Sequence, residues 1–131
     1  MIGIDTNILL RLWLDDDPVQ SRRIDSLLAA HGGKPGSLLV TAVVLAEAVW
    51  TLRAAFDQDK AAQLLAVRSL LQETAFAFED REVMAQAADM FETASCDFSD
   101  CLIVATHARL GCAYTATFDR GMRKLPGARV L

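Results

Sequence analysis

At 131 residues and 53% hydrophobic, the chain has the apolar material for one complete core, and a single domain over residues 1–131 is expected. A net charge of −4 excludes a protein coated in basic residues for nonspecific nucleic-acid binding, although a local basic rim remains open. No apolar run approaches a membrane span, and no charged leader precedes a long apolar stretch, so neither membrane insertion nor secretion is implied.

Residues 1 to 5 read as a short buried strand. Thr6 to about Asp15 follows as a helix, with Ile8, Leu9, Leu12 and Trp13 at helical spacing and Asp5 or Thr6 able to cap its start. Asp15-Asp16-Asp17-Pro18 breaks that helix, and Pro18 suits the first turn of the next, over 19 to 31, which carries Ile24, Leu27 and Leu28 on one stripe. The loop-rich passage His31 to Gly36 leads to a second strand, Ser37 to Thr41. Two helices come next, over about 42 to 56 and 59 to 73; the first is apolar almost all round and is expected to be central. Thr74 to Phe78 is a third strand. Asp80 caps a helix to about Ala94, and Phe98 to Leu110 forms another, ended by Gly111. Ala113 to Thr117 is a strand, a short basic turn follows, and Ala128 to Leu131 is the last strand. Strands alternating with helices predict an α/β sandwich around a mainly parallel sheet. In such sheets sites gather at strand carboxyl ends, where Asp5 and Asp119 both lie.

Four acids close or interrupt apolar runs: Asp5, Glu47, Asp100 and Asp119. Glu47 is the only charged residue between Lys34 and Arg53, and Asp119 is the first after Arg109, so these carboxylates are expected in the interior or at its rim. A buried carboxylate is paired, protonated or bound to a cation. Each acid alone also fits a plainer role. Asp5, Asp97 and Asp119 can be helix caps, and Glu47 can reach solvent or pair with a distant Arg. Asp97 and Asp100, three apart, share a face at the start of a helix and both profit from its dipole. One shared cause for four acids is the more economical account: a divalent ion, Mg²⁺ or Mn²⁺, held by oxygen ligands.

Other chemistries find no support. Gly-rich phosphate loops and a Gly-x-Ser-x-Gly elbow are absent, and no Cys stands beside a convincing His base. The three cysteines show neither a Cys-x-x-Cys pair nor a zinc spacing; Cys101 and Cys112 read as small core residues, reduced in a cytoplasmic protein. His31 and His107 read as surface or capping residues.

With those residues in place, the chain resembles the PIN-domain family, and within it the VapC-type toxins of toxin-antitoxin pairs. The likeness rests on Ile4-Asp5-Thr6-Asn7-Ile8-Leu9-Leu10-Arg11, Val43-Val44-Leu45-Ala46-Glu47-Ala48-Val49-Trp50, Asp97-Phe98-Ser99-Asp100-Cys101-Leu102-Ile103 and Thr117-Phe118-Asp119, in that order. Residues 57 to 79 and the end of the chain carry little of it. The resemblance implies a PIN-like three-layer α/β/α sandwich and a Mg²⁺- or Mn²⁺-dependent ribonuclease that leaves a 5′-phosphate, with Asp5, Glu47, Asp100 and Asp119 as the metal-binding and catalytic acids. It further implies that Thr6, Asn7, Asp97 and Thr117 orient those acids or water by hydrogen bonds. Arg11, Arg120, Arg123 and Lys124 are candidates for RNA phosphate contacts, which position a strand without reading it. By the same likeness the partners are RNA, a small antitoxin docking on the apolar face of the first two helices near Trp13 and Leu14, and a second copy in a homodimer.

Two other readings compete. A PIN-like interaction protein, silent in catalysis, would act through antitoxin or operator binding; the intact acid set speaks against it. A phosphoacceptor receiver domain needs an Asp ending a middle strand and paired acids after the first, whereas 37 to 41 and 74 to 78 end in Thr41 and Phe78.

Overall fold

The computed structural model describes residues 1–31 and 33–131. The expected α/β fold is what the chain adopts, with six α-helices and parallel strand pairing among the described residues. β1 (Ile2–Gly3) leads into α1 (Thr6–Leu14) and α2 (Pro18–His31), then β2 (Leu38–Val40). α3 (Ala42–Ala54) and α4 (Lys60–Gln72) carry the chain to β3 (Phe76–Phe78). α5 (Arg81–Thr93) and α6 (Phe98–Arg109) precede β4 (Thr115–Thr117), a 3-10 turn (Arg120–Met122) and β5 (Ala128–Val130).

β2 lies between β1 and β3, with Leu38 opposite both Ile2 and Phe76, so its Leu38 and Val40 are wholly buried. β4 pairs with β5 as a second parallel group, Thr115 opposite Ala128. Parallel neighbours need a crossover, and the helices between consecutive strands supply it.

Aspartate starts most of the helices. Asp17 accepts from the N–H groups of Val19 (3.1 Å) and Gln20 (3.0 Å), which leaves Pro18 in the one position that has no N–H to satisfy. Asp59 accepts from Ala62 (2.9 Å) and Asp80 from Val83 (3.1 Å). α3 has no side-chain cap of its own; Glu79, beyond β3, accepts from the Ala42 N–H at 3.0 Å. α6 ends in a Schellman turn: Gly111 adopts φ +90°, its N–H reaches Ala108 O, and the Cys112 N–H reaches His107 O at 2.9 Å.

That turn corrects one expectation. Cys112 belongs to the helix terminus and is exposed, whereas Cys101 is buried in the core. α3 corrects another. Leu45, Ala48, Val49 and Leu52 are buried, but Val43, Glu47 and Trp50 face outward, so the helix is amphipathic and only one side is central. α5 and α6 make the most extensive helix–helix contact, with Phe91 and Phe98 packed edge to face at 5.8 Å. Among the described residues no helix is long and apolar enough to cross a membrane.

Candidate active site

The site is best entered at the start of α6. Asp97 is the N-cap and Asp100 lies one turn in, where the Asp97 N–H donates to Asp100 Oδ2 at 3.2 Å. Phe98, Cys101 and Leu102 are buried beneath them, which anchors this first turn to the core and leaves Asp100 half-buried. Burial holds the Asp100 carboxyl above the usual carboxylate range; the Asp97 N–H opposes this, and the negative charges of Asp119 and Asp97 reinforce it. Asp100 and Asp119 are therefore close enough to feel each other.

Asp119 follows β4 and is fixed from both sides. Its N–H donates to Thr117 Oγ1 at 3.0 Å, and its Oδ1 accepts from the Gly121 N–H at 2.8 Å. Thr117 is half-buried over Met122, so the turn rests on the core while Asp119 itself is exposed. Phe118, between them, is 82% exposed.

The other two acids stand differently. Asp5 caps α1 through the Thr6 N–H at 2.7 Å and is exposed above the buried Thr6. Glu47 is exposed on the outward face of α3, a turn below Trp50, itself 53% exposed. The expectation of four acids in the interior or its rim thus holds for Asp100 alone. A lone acid in an apolar helix can take the solvent face without disturbing the buried stripe, which is what Glu47 does. Among the described residues no three His, Cys, Asp or Glu side chains gather in joint ligating range. Among the described residues, Asp119 is the one of the other three acids whose charge acts on Asp100.

The supporting residues divide as well. Asp97 Oδ2 pairs with Arg53 Nη2 at 3.2 Å, both groups being nearly half exposed, so this contact contributes at most about 1 kcal/mol. Nothing local in the sequence announces it, because α3 and α6 meet only in the fold. Asn7 is exposed near the start of α1. Arg11 forms an ion pair with Asp16 across the end of its helix, and its Nε is buried without a partner. Arg120, Arg123 and Lys124 are exposed and make no ion pair among the described residues. His107 Nδ1 meets Thr115 Oγ1 at 2.9 Å and ties α6 to β4. Burial raises the thiol pKa of Cys96, and it pushes that of Cys101 to about 12, so both stay protonated at neutral pH beside the acids.

The donor set is all oxygen, and no cationic side chain reaches Asp5, Glu47, Asp100 or Asp119 among the described residues. Unpaired carboxylates of this kind suit a hard divalent cation. A parallel α/β fold with acids at strand carboxyl ends and at a helix start is compatible with metal-assisted hydrolysis. The PIN domain model matches residues 2–128, and the chain belongs to the PIN domain family, whose members are typically metal-dependent nucleases and usually use Mg²⁺. The match runs through residues 57 to 79, where the sequence offers little likeness by eye. No curated protein matches the chain.

Proposed function

We propose that the chain is the endoribonuclease toxin of a toxin-antitoxin pair, of VapC type, acting in the cytoplasm. The observation that carries the reading is Asp100 at the start of α6, burdened by burial and by the charge of Asp119, with no protein cation among the described residues to relieve it. A divalent ion is the relief that such a pair accepts. Asp5, at the cap of α1, and Glu47, on the outward face of α3, complete the acid set.

The residues divide the work. Asp100 keeps one oxygen free because the Asp97 N–H holds the other, and Thr117 with Gly121 fixes the aim of Asp119. Bound Mg²⁺ or Mn²⁺ would be held by Asp5, Glu47, Asp100 and Asp119, and supplies a Lewis acid that makes water acidic enough to attack a phosphodiester. Thr6 orients Asp5 through its backbone N–H, and Asn7, exposed beside it, would add a side-chain hydrogen bond to the acid or to water. Arg120, Arg123 and Lys124 hold backbone phosphates as simple cations. Arg11 can join them only by leaving Asp16, and that makes it the weakest of the four.

A cleft of about 370 Å³ between α1 and α2, lined by Asn7, Ile8, Arg11, Gln20, Arg23, Ile24 and Leu27, supports antitoxin docking beside the site. Trp13 and Leu14 are half-buried against the core, so this cleft offers a better seat than their face. The toxin pairs with a second copy as a homodimer. A second reading is favoured by the spread of Asp5 and Glu47 away from a closed ligand set: a PIN-fold binding protein without catalysis.

The test is cleavage of a mixed RNA pool by the antitoxin-free protein and its Asp100→Asn variant, with Mg²⁺ or Mn²⁺ and with EDTA. Cutting that needs both the ion and Asp100 supports the nuclease. Metal binding by a protein that cuts no RNA in the pool supports the binding protein.

A further inference from the structure

Two of the most exposed aromatic rings adjoin two different acids of the proposed site. Trp50 stands three residues after Glu47 on the outward face of α3, and Phe118 immediately precedes Asp119. Phe is among the residues most often fully buried, so a ring at 82% exposure sets Phe118 apart.

Neither ring is on a loose segment. The bonds from Asp119 N–H to Thr117 Oγ1 and from Gly121 N–H to Asp119 Oδ1 fix the backbone on the C-terminal side of Phe118, and β4 fixes the other. Trp50 borders a small cleft with Val49, Arg53, Asp97, Phe98 and Ser99, where Arg53 is held by Asp97. Its footing is therefore the start of α6, the turn that carries Asp100. The exposed cations Arg120, Arg123 and Lys124 follow Phe118 within six residues and have no ion-pair partner among the described residues.

A nucleic-acid strand alternates anionic phosphates with flat bases, and surfaces that hold it combine free cations with open aromatic faces. On the nuclease reading the scissile phosphate lies at the acids, which puts the neighbouring bases within reach of rings rooted beside those acids. We propose that Trp50 and Phe118 are positioning residues that stack on bases of the RNA strand close to the cleavage point. They touch no reacting atom and act by holding the strand in register.

The experiment separates binding from cutting. Trp13→Phe leaves Trp50 as the sole tryptophan, and its fluorescence is titrated with a short single-stranded RNA oligonucleotide in EDTA, where no hydrolysis intervenes. Binding is expected to quench Trp50. Trp50→Ala and Phe118→Ala should each weaken the affinity about tenfold or more, read by polarisation of a labelled oligonucleotide, while Trp50→Phe and Phe118→Tyr retain most of it. With Mn²⁺ the alanine variants should raise KM and leave kcat near the parent value. Unchanged affinity in both alanine variants overturns the stacking contacts. So does a Trp50→Ala variant that dissociates a dimer on gel filtration without loss of RNA affinity, because a second copy then covers that face. Quenching and aromatic-dependent binding by a protein that cuts nothing with Mn²⁺ would sink the nuclease reading and keep these contacts. Cutting with an unaltered KM in both alanine variants would do the reverse.

Discussion

Asp100→Asn removes a negative charge from the start of α6 while keeping the shape of the side chain and an oxygen able to accept the Asp97 N–H, now held at 3.2 Å. Burial first, then the charges of Asp119 and Asp97, raise the Asp100 pKa. A carboxyl whose pKa is higher folded than unfolded binds more protons in the folded state, so its stabilising contribution is present at low pH and is lost as pH rises through the folded pKa. In EDTA at pH 7 the variant is therefore expected to melt at or slightly above the parent. Metal should reverse the order. An ion at a hundred times its Kd stabilises by about 2.7 kcal/mol. For 131 residues the unfolding entropy is about 0.28 kcal/mol/K, so that linkage raises Tm by about 10 °C. Scanning calorimetry with Mn²⁺ and with EDTA should find this rise in the parent and little of it in Asp100→Asn. An equal rise in both proteins would remove Asp100 from the ligand set. A variant melting far below the parent in EDTA would make Asp100 a structural cap, and the burdened-carboxylate account would fail.

Three further outcomes are expected. Gly127 has φ +88°, and an added Cβ would meet Val104 Cγ1 at 3.0 Å, so Gly127→Ala should cost about 1–3 kcal/mol by thermal melting. Gly111→Ala, at φ +90° but in open space, should cost less; equal losses would remove the Val104 contact as a cause. Asp80→Ala loses the cap on Val83 and the partner of Arg109 Nε at 3.2 Å, a cost of about 1 kcal/mol by denaturant titration, and Asp80→Asn should recover most of it through the cap alone. At neutral pH an alkylating reagent followed by mass spectrometry should modify exposed Cys112 first and Cys101 only on unfolding, because Cys101 is buried and its pKa of about 12 keeps it a thiol.

The elements were legible because their punctuation is local. An Asp at each of 5, 17, 59, 80 and 97 stands at a helix start, and Gly111 stands at a helix end, each for a reason contained in a few residues. Burial was less legible. Glu47 lies in a run of apolar neighbours, yet helical geometry sorts Leu45, Ala48, Val49 and Leu52 to one side and Val43, Glu47 and Trp50 to the other. A run of hydrophobic letters hides that sorting when both faces are apolar. Contacts between distant segments were not legible at all: Arg53 with Asp97, Glu79 with the Ala42 N–H, and the approach of Asp119 to Asp100 exist only once α3, β3, α6 and β4 are assembled. The order of acids along the chain is written in the sequence, and the distances among them are not.

The strands are two or three residues long, and the three-stranded group joins segments far apart in the chain, Ile2 with Leu38 and Leu38 with Phe76. Closing such long loops for so few ladder bonds is entropically unfavourable until something else has brought the segments near. α5 and α6 are consecutive, joined by a short turn, and make the most extensive helix–helix contact in the fold. Assembly should therefore begin with this helical hairpin and finish with the sheet. Pulsed hydrogen exchange during refolding would find the amides of 81–109 protected before those of β1 and β2; the opposite order would refute this route. The turn that carries Asp97 and Asp100 lies inside that hairpin, so one of the four acids would be set in place before the sheet that gives the fold its class.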